Sequence, residues 1–536
     1  MTDSRIPATS ADAPASLDRR RALGSLAALG GLASAGLAPV QGLTAALPAP
    51  PALADDAAFR AADPRLAPLR GLADGDTVLR CDALAVRGRW PAGLSGTFFR
   101  NGPALFERGG ERYRHWFAGD GMVQRFACSP RGVSHTGRFV RTPKLRAEQA
   151  AGHFVEPAYA SPIAHGDEAA GGGPDAMNVA NTSVLQHGGR LLALWEGGSA
   201  FDLDPRTLAT RGAVTWGDGL AQMPFSAHPK VDPQGHLWNI GTFGDRVVVW
   251  HVGPDGRLVD ARAGALPYAN GMAHDMAVTE RWIVLPLPPV KMDYAAAASG
   301  TPAARAFRFE AEQPLRVLVM NKDDIADRRV FELPSRMVFH VANAHEERDG
   351  TIVLGYCAAR DAGFLVHGAV HLAAGRPAGD PGATETCIAR LDPRSGRATV
   401  ETFRETVEFP RIDPRRVGQP ARRIVTAYRA ASRRANDGGL LHGVQVRDTA
   451  TGRVDRFDYG ADAVAEEHVV VPKPGATAER DAWLVGTRYE ARRGVTVLAV
   501  LDAARVAEGP LAEASLPYAL PFGFHGHFEA APGAGR

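Results

Sequence analysis

From about residue 80 onward the chain alternates short apolar runs of strand length with tight polar turns. One unit recurs: an apolar strand, a polar turn, then a second strand. It reads SAFDLDPRTLATRG, VVWHVGPDGRLVDA, CIARLDPRSGRATVE, HGVQVRDTATGRVDRF and LAVLDAARVAEGPLAEASL. The turns D-P-R-T, G-P-D-G, D-P-R-S-G and D-T-A-T-G place Pro for turn entry and Gly or Asp for exit. Each such turn is predicted to join the outer two strands of one blade. Self-similar hairpins at roughly blade-length intervals predict an all-β propeller.

Three stretches interrupt the pattern, 140–173, 291–313 and 411–437. They are Pro/Gly/Ala-rich or Arg-rich and lack clean strand periodicity. Loops of that length in a compact domain are usually lids or binding loops. Within the first, 144–151 has helical propensity. These insertions predict a cap of loops and short helices over one propeller face, walling off a pocket. The motif RNGP at 100–103 reads as a turn after a strand. GDGMVQ at 119–124 ends in Gln124, which excludes a dinucleotide-binding G-x-G-x-x-G, and its glycines are expected to allow a strained turn near the cavity.

Composition narrows the function. The 536 residues are 45% hydrophobic, enough for a large core, and 61 basic against 59 acidic residues leave a net charge of +2. Nucleic acid is not an expected partner, because no basic stripe stands out. The Arg-rich stretch 411–434 lacks interleaved aromatics for base stacking and reads as a solvated loop. Cys81, Cys128, Cys357 and Cys387 show no C-x-x-C spacing, which argues against a zinc ribbon or thioredoxin-type site.

Residues 1–54 read as a twin-arginine-like signal and linker. Arg19, Arg20 and Arg21 precede an Ala/Leu/Gly-rich run, and Ala52-Leu53-Ala54 offers a small-residue cleavage site before Asp55. The expected organisation is a signal over 1–54 and a single catalytic propeller over 55–536, exported to the periplasm.

The candidate chemistry lies in four distant histidines: His228 in SAHPKVDPQG, His274 in GMAHDMAVTE, His340 in VFHVANAHEE and His525 in PFGFHGHF. Each opens or closes an apolar run beside turn formers, and no local zinc or haem motif explains them. A site built from such distant imidazoles needs a fold that gathers strand ends on one axis, which points to a metal centre on the propeller. Imidazole nitrogen suits iron, copper, nickel or zinc. His345 and His527 sit two residues from motif positions and read as surface or outer-layer residues. AHEERD is not H-E-x-x-H, since Asp349 stands where the second histidine belongs, and no G-x-S-x-G occurs. A zincin peptidase and an α/β-hydrolase esterase are thereby disfavoured.

Nine motifs occur in order from about Val86 to Phe528: GTFFRNGPALF, HWFAGDGMVQRF, NVANTSVLQHGGRLLALWEGG, SAHPKVDPQG, MAHDMAVTERWIVLP, FHVANAHEE, EFPRID, EEHVVVPKP and GFHGHF. Together they resemble the carotenoid cleavage oxygenase family. The resemblance implies a seven-bladed β-propeller with a helical cap, and one Fe(2+) per chain that cleaves an alkene with O2. It implies His228, His274, His340 and His525 as ligands. It also implies three glutamates that accept from ligand histidines: Glu196 in LALWEGG, Glu408 in VEFPRID and Glu467 in EEHVVVP. Glu467 is taken over its neighbour Glu466 from the distance to Pro472. His228 is the histidine expected to lack a glutamate. Carboxylates of this kind fix the imidazole tautomer and soften the charge of an all-histidine site.

The implied reaction splits one conjugated double bond into two carbonyl fragments, with no organic cofactor. The expected substrate is a carotenoid or apocarotenoid. In the stilbene-cleaving branch a lysine typically precedes the first of these glutamates, and here Trp195 takes that position. Trp116 and Phe117 in HWFAGDG also fit an apolar tunnel. A stilbene or phenylpropenoid is the alternative substrate. A non-catalytic metal-binding propeller and a zinc or copper hydrolase are the readings from other classes. Peripheral membrane contact is a further expectation, because a polyene lives in membrane and its extraction needs an apolar rim. The segment MDYAAAASGTPAARAF is one candidate for that contact.

Overall fold

The computed structural model describes Phe59 and residues 63–531 apart from 157–172, 269–271, 294, 297–302, 380–383 and 431–438. Residues 1–54, the expected signal, lie outside the described residues, as do parts of all three insertions. Among the described residues, seven sheets of four or five antiparallel strands form the blades, with two further two-stranded ribbons.

From rim to axis, blade 1 runs Val78–Cys81, Gly132–Phe139, Asp120–Ser129, Gly96–Leu105 and Gly526–Ala530. The inner strands of blades 2 to 7 are Ser183–His187, Lys230–Val231, Ala277–Val278, Met337–Glu346, Thr406–Arg411 and Ala463–Pro472. The ring closes twice. Ala85–Gly88, from the N-terminal side, pairs with Pro510–Ser515 as the outermost strand of blade 7. Gly526–Ala530, from the C-terminal side, pairs with Gly96–Leu105 as the innermost strand of blade 1. Two chain ends shared between blades 7 and 1 leave the sheet ring without an open seam.

The apolar runs follow from packing on both faces of each blade. In Arg190–Leu194, Leu191 and Ala193 pack toward blade 1, while Leu192 and Leu194 pack toward blade 3. In Arg246–Val252, Val247 and Val249 meet blade 4, while Val248 and Trp250 meet blade 2. In Leu315–Asn321, Leu318 and Met320 meet blade 3, and Val317 and Val319 meet blade 5. A strand buried on both faces loses the polar alternation of an exposed sheet. Each fully buried Val or Leu here contributes about 1.5–3 kcal/mol relative to exposure. All eight residues of Val495–Asp502 are buried, the extreme case.

The predicted turns join the third and fourth strands of blades 2, 3, 5 and 6, and the fifth hairpin joins the same strands of blade 7. Asp204 shows how such a turn is held. Its Oδ1 accepts from the amides of Arg206 and Thr207 at 2.9 and 2.8 Å.

Several local readings need correction. RNGP is no turn. It lies within strand Gly96–Leu105, where Asn101 donates to the carbonyls of Ala180 and Ser183 and a Cβ at Gly102 would stand 2.6 Å from Gly523 Cα. GDGMVQ enters strand Asp120–Ser129, and neither Gly119 nor Gly121 has positive φ. Gly121 is there for close approach: a Cβ would lie 2.2 Å from the Ala180 carbonyl oxygen. The stretch 411–437 is not one loop, because Arg411 ends a strand and Arg423–Arg429 is another. The stretch 291–313 contains a ribbon of Val290–Met292 with Phe307–Phe309 and a short helix, Ala303–Ala306. The helix expected at 144–151 spans Pro143–Ala151, capped by the Thr142 hydroxyl on the Leu145 amide. All four cysteines are free.

Candidate metal centre

All seven blades contribute one residue to the axis. The histidines come from blades 1, 3, 4 and 5: His525 directly precedes Gly526–Ala530, His228 and His274 precede the inner strands of blades 3 and 4, and His340 lies inside Met337–Glu346. The glutamates come from blades 2, 6 and 7: Glu196 follows Arg190–Leu194, and Glu408 and Glu467 lie on inner strands. Three of these side chains sit where the strand ladder slips. The register shifts between Val338 and Val341, between Glu408 and Arg411, and between Ala465 and His468. A bulge re-aims a side chain that regular pleating would point at a neighbouring blade. Phe409, beside Glu408, has φ 58°, a strained value for a non-glycine residue.

The four imidazoles converge. One nitrogen from each of His228, His274, His340 and His525 lies within 4.8 Å of the others. His228 Nε2 is 3.0 Å from His274 Nε2, which is 3.3 Å from His340 Nε2. His525 packs edge-on against His228 and His340, with ring centroids 4.6 and 4.7 Å away.

The outward nitrogens are fixed by carboxylates. His340 Nδ1 donates to Glu408 Oε2 at 2.5 Å, and His525 Nδ1 donates to Glu467 Oε1 at 2.8 Å. His274 Nδ1 meets Glu196 Oε1. With Nδ1 carrying the proton, Nε2 of each ring presents a lone pair to the axis. Lone pairs facing each other at 3.0–3.3 Å repel, and a cation between them removes the repulsion. Metal–imidazole bonds of about 2.1 Å set adjacent nitrogens roughly 3.0–3.4 Å apart, so the donor set fits a metal ion. His228 has no glutamate; its nearest carboxylate is Asp275, with Oδ2 3.9 Å from His228 Nδ1.

The electrostatics differ from ring to ring. Burial, reinforced by the other three imidazoles and Lys230, holds His228 well below the ordinary histidine value. Burial outweighs Glu467 at His525 and lowers it to about 4. Burial also pulls on His274, but Glu196, Asp275 and Glu408 outweigh it and leave its pKa raised. Burial opposes ionisation of Glu408 and Glu467, yet His340 for the first and Arg411 with His525 for the second hold both below the ordinary carboxylate range.

Glu467, not Glu466, reaches the histidine. Glu467 also accepts from the Gly526 amide at 2.7 Å and from Arg411 Nε and Nη2, both at 2.8 Å. Glu466 turns the other way, accepting from the Gly523 amide at 2.6 Å and pairing with Arg100 Nη1 at 3.1 Å. The sequence reading missed Arg411 and Arg100. Their signal was an arginine beside each motif apolar run, in EFPRID and FFRNGP. His345 and His527 lie outside the cluster; His527 Nε2 contacts Glu529 at 3.3 Å.

An apolar cavity opens onto the cluster. Trp116, Phe117 and Trp195 all line it, together with Phe339, Phe364, Phe522 and Phe524. Phe524 takes two edge-to-face contacts in this wall: Trp116 meets it at 4.9 Å and Phe117 at 5.4 Å between centroids. Cap segments supply much of it. His115 accepts from the Phe117 amide through Nδ1 and contacts the Leu365 carbonyl through Nε2 at 2.9 Å, pinning Trp116–Ala118 to Phe364–Gly368.

Known proteins share this architecture. The family model described as retinal pigment epithelial membrane protein matches residues 74–530. Apocarotenoid-15,15'-oxygenase of a Synechocystis species is 30% identical over 471 residues, covering 82% of this chain and 91% of that protein. Lignostilbene-alpha,beta-dioxygenase isozyme III of Sphingomonas paucimobilis is also 30% identical, over 83% of this chain and 93% of that one. A solved cobalt-substituted Synechocystis apocarotenoid oxygenase superposes with a TM-score of 0.75 at 26% identity, over 85% of this chain and 96% of that one. With the family match spanning every blade and all four histidines, the chain belongs to the retinal pigment epithelial membrane protein family, the carotenoid cleavage oxygenases.

Proposed function

We propose that the protein is an Fe(2+) dioxygenase that cleaves one conjugated double bond of a carotenoid or apocarotenoid, the alkene and O2 giving two carbonyl products. His228, His274, His340 and His525 would hold the metal, which when bound would supply O2 activation. The observation that carries the reading is an aromatic cavity lined by His274, His340 and His525 of the four-histidine cluster. The chain's own residues do the rest. The carboxylates of Glu196, Glu408 and Glu467 keep Nδ1 protonated, so that each Nε2 remains a donor to the metal. The aromatic wall excludes water and places one double bond beside the metal. No side-chain acid or base is required, because no proton is transferred in the balance.

Trp195 beside Glu196 favours a long apolar polyene, since an indole there offers a flat apolar face where a lysine would meet a phenol oxygen. Equal identity to the lignostilbene enzyme supports the second reading, a stilbene or phenylpropenoid substrate. The deciding experiment is O2 uptake by the iron-loaded protein with an apocarotenal and a hydroxystilbene in parallel, with fragments identified by mass. Aldehydes from the polyene support the first reading. Cleavage of the stilbene alone replaces it with the second, and silence with both refutes the cleavage reaction for these substrate classes.

We further propose that residues 1–54 direct export to the periplasm, on the order of Arg19–Arg21, apolar run and Ala52-Leu53-Ala54. A mature N-terminus at Asp55 in the periplasmic fraction is the expected result; a cytoplasmic protein retaining Met1 would refute it. Peripheral membrane contact belongs to the same proposal. Among the described residues no helix is long and apolar enough to cross a membrane. Vesicle flotation of the protein tests the contact directly.

A further inference from the structure

The metal centre has one histidine without a glutamate and one buried carboxylate without an assigned role, and the two face each other. Asp275 follows His274 and is 4% exposed. Its Oδ1 accepts from the Met276 amide at 2.6 Å and from Lys230 Nζ at 2.7 Å. Its Oδ2 accepts from the Val341 amide at 2.7 Å and lies 3.9 Å from His228 Nδ1. Lys230 is two residues beyond His228, and Val341 follows His340. One carboxylate thus holds the chain beside three of the four histidines, in blades 3, 4 and 5. The Val341 amide lies at the register shift that re-aims His340.

We infer that Asp275 is a positioning residue of the metal centre: it ties together the segments carrying His228, His274 and His340, and it supplies to His228 the negative charge that no glutamate provides. This rests on the metal reading above. A carboxylate offers about four lone-pair sites. Three are taken by two amides and an ammonium, and at 3.9 Å the remaining interaction with His228 is electrostatic, not a hydrogen bond. Glutamates already serve the other three rings; Asp275, whose charge also reaches His274, is the carboxylate that stands beside the one ring without a glutamate.

Two substitutions with opposite expected signs test it. The readouts are cobalt(II) affinity by chelator competition and the visible absorption of the bound cobalt. Asp275→Asn removes the charge and turns an amide N–H toward one of its donors. Affinity should fall at least tenfold, in the range seen when groups behind metal ligands are removed. Lys230→Met removes the ammonium but keeps the carboxylate and both amide bonds. Taking one positive charge from the neighbourhood of a dication should raise affinity about threefold or more, with a shifted cobalt band. A residue that only props the fold would give losses in both variants. Unchanged or weakened binding by folded Lys230→Met, checked by circular dichroism of the apoprotein, would overturn the inference even if Asp275→Asn failed to fold. Wild-type protein that took up no cobalt would instead overturn the metal reading on which it rests.

Discussion

Glu467→Gln is the most informative perturbation, because this carboxylate joins the proposed metal ligand His525 to ring closure. It is 5% exposed and accepts four hydrogen bonds, from His525 Nδ1, the Gly526 amide and two nitrogens of Arg411. Arg411 Nη2 also donates to the Gly526 carbonyl at 3.0 Å, so the pair grips both polar groups of the residue that starts the closing strand. Glutamine keeps the shape, but it brings an N–H2 to a place where every partner is a donor. Breaking a buried ion pair costs about 3–5 kcal/mol. The Arg411 side chain keeps 36% of its exposure, so water recovers part of that loss and the lower end, about 3 kcal/mol, applies. With an unfolding entropy of about 2.1 cal/mol/K per residue over roughly 470 residues, about 3 kcal/mol lowers Tm by about 3 °C. Metal affinity should fall about 10–100-fold, or roughly 1.4–2.8 kcal/mol, through loss of the carboxylate behind His525. The assays are calorimetry of the apoprotein and chelator competition for cobalt. Glu466→Gln is the control: its partners are Gly523 and Arg100, so its metal affinity should stay within about threefold of wild type. Wild-type Tm and affinity in Glu467→Gln, or equal metal loss in both variants, would refute the reasoning.

Removing residues 524–536 deletes His525 and strand Gly526–Ala530, and should leave a soluble fraction that retains no stable metal; an iron-replete truncate would show that His525 is not a ligand. Trp116→Ala opens the aromatic wall without touching a histidine, so kcat/KM for a polyene should drop at least tenfold with metal content unchanged, and an unaltered kcat/KM would remove Trp116 from the substrate path. Stability should fall in mild acid. Burial lowers His115 and His468 to about 4 and His135 to about 3, from 6.5. These rings stay neutral when folded and are protonated in the unfolded chain below pH 6.5, so unfolding takes up protons and stability declines as pH falls through that window. Near pH 5 the three together give a slope of about 4 kcal/mol per pH unit. A Tm that stayed flat between pH 6.5 and 5 would refute it.

Much of the site was legible because its residues sit in distinctive local contexts. His228, His274, His340 and His525 each border a short apolar run, and Glu196 follows a strand-like LLALW. The hairpin turns were legible for the same reason, since Pro, Asp and Gly at fixed offsets encode turn geometry locally. The strand at Gly96–Leu105 misled because Asn, Gly and Pro at 101–103 signal a turn. Asn101 instead spends its side chain on carbonyls of blade 2, and Gly102 is needed where the backbone of 522–523 passes close by. Both partners are remote in sequence, so no local rule reports them. The segment 411–437 misled likewise: Arg411 and Arg423 read as solvated charges, yet Arg411 is held by Glu467 across a blade boundary.

The sequence alone determined the repeating hairpins, the two-sided apolar strands that make blades stack, and the inventory of imidazoles able to bind a metal and carboxylates able to hold them. These are properties of short windows, set by side-chain period and turn chemistry. Only the tertiary structure decided which carboxylate faces which ring. The choice of Glu467 over Glu466 turns on a bulge between Ala465 and His468, and the pairing of Asp275 with Lys230 and Val341 turns on the approach of three inner strands. Such pairings are fixed by closing the ring, when side chains from blades hundreds of residues apart meet on one axis and each buried charge must find its partner there.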